Sequence, residues 1–258
     1  MKIDQKRAES VFYEYTSHYN AADEKVRLKI EHTLRVSRLC GQIAQDIGLE
    51  GEEADLAWLL GLLHDVGRFE QLRNYGTFND MESVNHAAYG ADILFQEGKI
   101  RDYVSEETED TLLEKAIRFH NAYRLPEGLT EREKTFCRII RDADKIDILR
   151  ANIEFPLEEI YNVTTKELRQ AVVSQEVLDN FMQERTSLRN GKRTVADSVV
   201  NQIAFAFELE YPVSLRLMVQ QGYLDKMLQF ESDNPVTQKQ FETIRECMER
   251  FLKRKGVK

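Results

Sequence analysis

An all-α helical bundle is predicted for this chain by three observations. Only four prolines interrupt 258 residues, strictly alternating β-branched runs are absent, and apolar residues return at three- and four-residue steps along nearly the whole length. A chain of this size lies near the upper limit for one hydrophobic core. Residues 1–155 are expected to form the main helical bundle, with 156–258 a further set of helices packed on it.

Hydrophobic residues at 42% and charged residues at 31% fit an ordinary globular protein. The first residues, Met1-Lys2-Ile3-Asp4-Gln5-Lys6-Arg7, lack the apolar core of a signal peptide. The most apolar segment, Leu56 to Leu63, is too short to cross a bilayer. A cytoplasmic protein without membrane attachment is therefore expected. A net charge of −9 argues against bulk nucleic-acid binding, which needs a basic face to release counterions. Small phosphorylated ligands stay possible, because bound divalent cations supply local positive potential on an acidic protein. Cys40, Cys137 and Cys247 are scattered without CxxC spacing, so any metal must rest on nitrogen and oxygen ligands. A homo-oligomer is left open.

The helices follow in order. Gln5 to Tyr19 carries Val11, Tyr15 and His18 on one side. Asp23 to Ile47 shows Leu28, Val36, Leu39, Ile43 and Ile47 on one stripe, with Gly48 as its stop. His32 sits on that stripe and faces inward. Glu52 to Val66 ends in Leu59-Leu60-Gly61-Leu62-Leu63-His64-Asp65-Val66-Gly67-Arg68, an apolar run closing on an adjacent imidazole and carboxylate. Adjacent residues on a helix point about 100° apart, so two neighbouring ligands can grip one metal only where the helix is ending, and Gly67 marks such an end. Buried without partners, the pair would be costly.

Phe69 to Met81, rich in Asn, Gly, Tyr and Arg, reads as a long loop over the mouth of a site. Ser83 is a candidate N-cap for a helix to Gln96, with His86 in its first turn and Gly90, Ile93 and Leu94 on its face. Glu109 to Asn121 places Leu113, Ala116, Ile117 and His120 in register before Pro126 and Gly128 break the chain. Thr130 caps the next helix, where Phe136, Ile140, Ala143 and Asp144 line up, Asp144 being the inward acid with Asp142 and Lys145 beside it. Past Pro156 the stripes Val195-Val199-Ile203-Phe207, Leu215-Leu217-Met218-Leu224-Leu228 and Phe241-Ile244-Cys247-Phe251 are packing material. Arg189-Asn190-Gly191-Lys192-Arg193 is the one basic turn there, read as a solvated loop that could also reach an anionic ligand.

Four of the five histidines, His32, His64, His86 and His120, thus fall on inward faces near helix ends, joined by Asp65 and Asp144; His18 is read as a packing or surface residue. In this arrangement the sequence resembles the HD-domain metal-dependent phosphohydrolases. The residues that carry the likeness are His32 in Glu31-His32-Thr33-Leu34-Arg35-Val36, the doublet His64-Asp65, and Asp144 in Asp142-Ala143-Asp144-Lys145, all within residues 23–150. The resemblance implies an HD-domain helical bundle in which His32, His64, Asp65 and Asp144 hold one ion while Asp65 bridges to a second held by His86 and His120. Two divalent ions are expected, from Mn, Fe, Co, Ni, Zn or Mg. It further implies hydrolysis of a phosphate ester or anhydride of a nucleotide or similar small metabolite through a metal-activated water.

Asp65, Arg68 and Lys145 are then the groups expected at the reacting centre, Arg68 and Lys145 being the nearest cations able to hold a phosphate. Arg68, Asn121, Arg124 and Lys145 are the candidate substrate-binding residues, with Arg73, Tyr75 and Lys192 as further groups near the mouth. Members that cleave cyclic dinucleotides carry a His-His pair and a Gly-Tyr-Pro signature, whereas this chain reads Phe119-His120-Asn121-Ala122-Tyr123-Arg124-Leu125-Pro126. Two other readings stand beside the enzyme: a non-catalytic sensor that binds a nucleotide or metal and signals through the C-terminal helices, and a buried polar network that holds no metal.

Overall fold

The computed structural model describes residues 1–161, 163–188 and 193–257, apart from the side chains of 157 and 159, and every regular element among them is helical. The described residues form two compact units, 1–144 and 145–258.

The first unit begins with α1 (Gln5–Ser17), capped by Asp4, whose side chain accepts from Arg7 N. Its buried residues are Ala8, Phe12 and Thr16 rather than Val11, Tyr15 and His18. The face is turned by one residue because the Phe12 and Tyr15 rings meet Phe69 edge-on, at 6.0 and 5.9 Å between centroids, and the fully buried Phe12 sets the inward direction. α2 (Glu24–Asp46) is capped by Asp23 and buries His32, Val36, Leu39, Cys40 and Ile43. Gly48, at φ +89°, follows it in the left-handed conformation that glycine adopts most readily.

α3 (Glu52–Leu63) is buried on every side from Leu56 onward, as expected of a helix without a polar face. It lies directly against α2. At their crossing, a Cβ on Gly61 would stand 2.6 Å from Ser37 Cα, so glycine there permits the backbone approach that brings α2 and α3 side chains together.

α4 (Val66–Tyr75) occupies much of the stretch expected to be a loop. Its composition is polar, but Phe69 and Gln71 are buried and Gly76, at φ +69°, ends it; tertiary contacts to Phe12, Tyr15 and Tyr19 override weak propensity. Residues 77–85 form the actual loop. α5 (His86–Ala91) is capped by Asn85, whose side chain accepts from Ala88 N, two residues after the expected Ser83. A π-helical turn over Asp92–Gln96 continues it.

α6 (Ile100–Tyr103), α7 (Asp110–Phe119) and the first part of α8 (Glu131–Glu154) complete the unit. α8 runs past Asp144 into the second unit, so the expected break at 155/156 follows the end of that helix while the compact units divide within it.

The second unit comprises the rest of α8 with α9 (Leu157–Tyr161), α10 (Thr165–Gln170), α11 (Gln175–Met182), α12 (Val195–Ile203), a 3₁₀ turn (Ala204–Glu208), α13 (Pro212–Gln220), α14 (Tyr223–Leu228) and α15 (Pro235–Arg254). Phe181, Phe207 and Phe251 stack edge-on in its core, with centroids 4.9 and 4.8 Å apart. Phe241, Ile244, Cys247 and Phe251 are buried along α15 as the sequence stripe anticipates. Asp197 is fully buried yet satisfied, because its carboxylate accepts from Thr194 N and Ser174 N, closing a capping box and holding the preceding segment. The basic turn at 189–193 lies outside the described residues except for Arg193.

Candidate metal centre

The first unit brings all six candidate ligands into one cluster. His64 follows the last residue of α3 and Asp65 sits at the break before α4, where φ −107° and ψ 15° leave the helical path. That break lets neighbouring residues face the same point. His32 comes from the middle of α2, His86 opens α5, His120 follows the last residue of α7, and Asp144 lies on α8. The four imidazoles and Asp65 are each at most 4% exposed, and the Asp144 side chain is 18% exposed.

The two oxygens of Asp65 face different partners. Oδ2 lies 3.7 Å from His32 Nε2 and 3.6 Å from His64 Nε2, while Oδ1 lies 3.5 Å from His86 Nε2 and 3.8 Å from His120 Nε2. Asp144 Oδ1 closes the first group, 3.1 Å from His32 Nε2 and 3.8 Å from His64 Nε2. The donor atoms of His32, His64 and Asp144 all lie within 4.8 Å of one another, and so do those of His64, Asp65 and His120.

Ring orientations are fixed from behind. His64 Nδ1 donates to Gly61 O at 2.8 Å and His120 Nδ1 to Ile117 O at 2.7 Å, while His86 Nδ1 meets Asp80 Oδ2 at 2.7 Å. Each partner is an acceptor, so in the neutral ring the proton belongs on Nδ1 and the Nε2 lone pair turns to the cluster. His64 Nε2 is buried without a hydrogen-bond partner. His86 Nε2 and His120 Nε2 stand 3.1 Å apart, an unfavourable meeting of two lone pairs unless a cation lies beside them. Nitrogen and oxygen donors of this kind suit a divalent transition ion, and this chain's residues fit such a group.

Charge in the cluster is divided accordingly. Burial, with the Arg68 guanidinium nearby, lowers His86 to about 4; burial and the neighbouring His64 lower His120 to about 4, and burial lowers His64 as well. His64, His86 and His120 are therefore neutral at pH 7. Burial favours the protonated Asp65 carboxyl, but the Lys29 ammonium, then His64, Arg68 and His86, outweigh it and hold Asp65 well below the usual carboxylate range.

Of the other expected site residues, Arg68 is largely engaged. Its Nη1 donates to Gln71 Oε1, Phe78 O and Asp80 Oδ1, and its Nε lies 3.7 Å from Asp65 Oδ1. Asn121 Nδ2 donates to Asp80 Oδ2 and Asn85 Oδ1, both at 3.2 Å. Arg124 is exposed and lies over the Tyr123 ring. Lys145 opens the second unit, where its ammonium meets Glu208 at 3.1 Å. Arg73 pairs with Glu70 and Tyr75 is half exposed; Lys192 lies outside the described residues.

Sequence reasoning missed Lys29, Gln71 and Asp80. Lys29 Nζ donates to Asp65 Oδ2 at 2.8 Å and lies over the Phe78 ring. Its one available signal was its position three residues before His32, one turn along the same face of α2. Close approach of α4 and α5 depends on two glycines: a Cβ on Gly67 would lie 2.3 Å from His86 O and 2.5 Å from Gly90 N.

Residues 30–149 match the HD domain family. The chain carries an HD domain. The HD domain family consists in general of metal-dependent phosphohydrolases and binds divalent metals. The six clustered side chains all lie within the matched residues. Over 67 residues the chain is 33% identical to the 3′3′-cGAMP-specific phosphodiesterase 1 of Vibrio cholerae, covering 24% of this chain and 16% of that protein. Over 75 residues it is 35% identical to ribonuclease Y of Nitratidesulfovibrio vulgaris, covering 29% of this chain and 12% of that protein. The matched stretches thus leave most of each relative's length uncovered. No solved structure matches the chain. Among the described residues no helix is long and apolar enough to cross a membrane.

Proposed function

We propose that this chain is a metal-dependent phosphohydrolase that hydrolyses an ester or anhydride bond in a nucleotide or similar small phosphorylated metabolite, using two divalent ions. The observation that carries the reading is the division of labour at Asp65, whose Oδ2 faces His32 and His64 while its Oδ1 faces His86 and His120. One carboxylate presented to two groups of imidazoles suits a bridging ligand. His32, His64, Asp65 and Asp144 would hold one ion, and Asp65, His86 and His120 the other. When bound, such ions polarise phosphoryl oxygens and acidify a water molecule.

The chain's own groups supply orientation and charge. Gly61 O and Ile117 O keep the His64 and His120 lone pairs aimed inward. Arg68 and Lys29 flank the Phe78 ring at 5.7 and 5.4 Å, both beside Asp65, and form a pair of cations suited to the non-bridging oxygens of a phosphate. Asn121 and Arg124 are the further candidates for holding the substrate. An acidic chain can then still bind a phosphorylated small molecule at this one point.

Phosphate or nucleotide release from a panel of mono-, di- and triphosphates and 3′3′-cGAMP, with added Mn²⁺ or Co²⁺, tests the reading. Wild-type protein is expected to turn over at least one compound, and Asp65→Ala to lose that activity by several orders of magnitude. Turnover that survives the substitution would refute the assignment.

A further inference from the structure

Asp80 lies in the 77–85 loop, outside the ligand cluster, yet it gathers four side chains. Its Oδ1 accepts from Arg68 Nη1 and Gln71 Nε2, each at 2.9 Å. Its Oδ2 stands 2.7 Å from His86 Nδ1 and accepts from Asn121 Nδ2 at 3.2 Å, and His86 Nδ1 also lies 3.0 Å from Oδ1. Gln71 is itself fully buried, and its amide is locked by four bonds: Oε1 accepts from Arg68, and Nε2 donates to Asp80, Ser83 Oγ and Val84 O. The carboxylate cannot rotate without breaking several of these at once.

We propose that Asp80 is the positioning residue for the second ion: held by Arg68 and Gln71, it fixes the His86 proton on Nδ1 and so keeps the Nε2 lone pair turned towards Asp65 Oδ1 and His120. The inference rests on the two-ion reading above and assigns a role to a residue outside the ligand set. Its chemistry follows from what an amide would do in the same place. In Asp80→Asn, the two donors Arg68 and Gln71 at 2.9 Å outweigh the single longer one from Asn121, which keeps Asn85 Oδ1 as its other acceptor, so the new NH₂ group takes the Oδ2 position, facing His86. An NH₂ group can only donate, so the nearer contact of His86 Nδ1 then opposes a proton there, while only the longer one, to the oxygen already shared by Arg68 and Gln71, still accepts it; the balance moves towards Nε2–H, which closes the lone pair to a metal. The substitution keeps shape and volume, so the helices around it have no reason to move.

Two measurements test this. In metal-free protein labelled with ¹⁵N-histidine, ring nitrogen shifts should place the His86 proton on Nδ1 in wild type and on Nε2 in Asp80→Asn; a wild-type proton on Nε2 would overturn the proposal without any variant. In calorimetric titrations with Mn²⁺, wild type should bind two ions, and Asp80→Asn should bind one with unchanged affinity and the other about 10- to 100-fold more weakly. Two ions bound at wild-type affinity by the variant would overturn the role of Asp80 and leave the two-ion reading standing. Wild type binding a single ion or none would overturn the two-ion reading and this inference with it.

Discussion

Replacing Gly67 with alanine is the sharpest mechanical test of how the centre is assembled. The new Cβ would lie 2.3 Å from His86 O, 2.5 Å from Gly90 N and 3.0 Å from Gly90 Cα. A relaxed contact between carbon and these atoms needs 3.4 Å or more, so α4 and α5 must separate by roughly 1 Å. All three obstacles are backbone, and no side-chain rotation can relieve them. Overpacking of this kind costs about 1–3 kcal/mol, and a clash against backbone belongs at the upper end. At roughly 2–4 °C per kcal/mol for a chain of this size, the melting temperature should fall by about 6 °C or more. The same displacement carries His86, now 3.5 Å from Asp65 Oδ1, away from that carboxylate, while His32, His64 and Asp144 are attached to other helices. Thermal melts should therefore be paired with metal counting on the purified variant. Loss of one ion with retention of the other is expected. A variant that melts with wild type and keeps both ions would refute the argument from close packing.

Lys29→Gln removes the ammonium that competes for Asp65 Oδ2. Metal-free protein should lose on the order of 3 kcal/mol, as when one member of a buried pair is removed, and should gain more melting temperature on adding Mn²⁺ than wild type does; an unchanged metal response would sink this. The metal-free protein should also be acid-sensitive through its histidines. His86 and His120 titrate near 4 when folded against an ordinary 6.5, so the unfolded chain binds protons first. Their contribution is complete above pH 6.5 and is lost as pH falls towards 4. By pH 5 the loss is about 2 kcal/mol per imidazole; urea unfolding in EDTA at pH 7 and pH 5 would show it, and equal stability at the two values would contradict it. Gly41→Ala serves as the opposite control, because its Cβ would meet nothing nearer than Trp58 Cβ at 3.6 Å. A gain of about 0.5–1 kcal/mol in stability from the better helix former is expected, and a loss would show that α2 cannot take even a methyl group there.

What was legible in the sequence follows from what local pattern encodes. His32 could be placed because it shares a stripe with Val36, Leu39 and Ile43, and His120 because it closes the face of Leu113, Ala116 and Ile117. The doublet His64-Asp65 was readable as a helix end because the apolar run over residues 59–63 closes on it, although Gly67, which the sequence offers as the mark of that end, lies inside α4. Lys29 and Asp80 were not, since a lysine on a charged helix and an aspartate in a polar loop look like solvated residues until a partner from elsewhere meets them. Their partners lie 36 residues away for Lys29 to Asp65 and 41 for Asp80 to Asn121. α4 was misjudged because its stability comes from Phe69 packing against α1, a contact that no composition of residues 69–81 can announce.

The short segment from Gly61 to Gly67 has no slack at either end. One glycine is seated on Ser37 and the other on Gly90 and His86, backbone against backbone, and the doublet lies between them like a bar bolted at both ends. Chain length can change in the turn between α6 and α7 with little effect on this bar. A residue inserted between the two bolts has nowhere to go except into the carboxylates and imidazoles, and every ligand beyond it would be swung out of line.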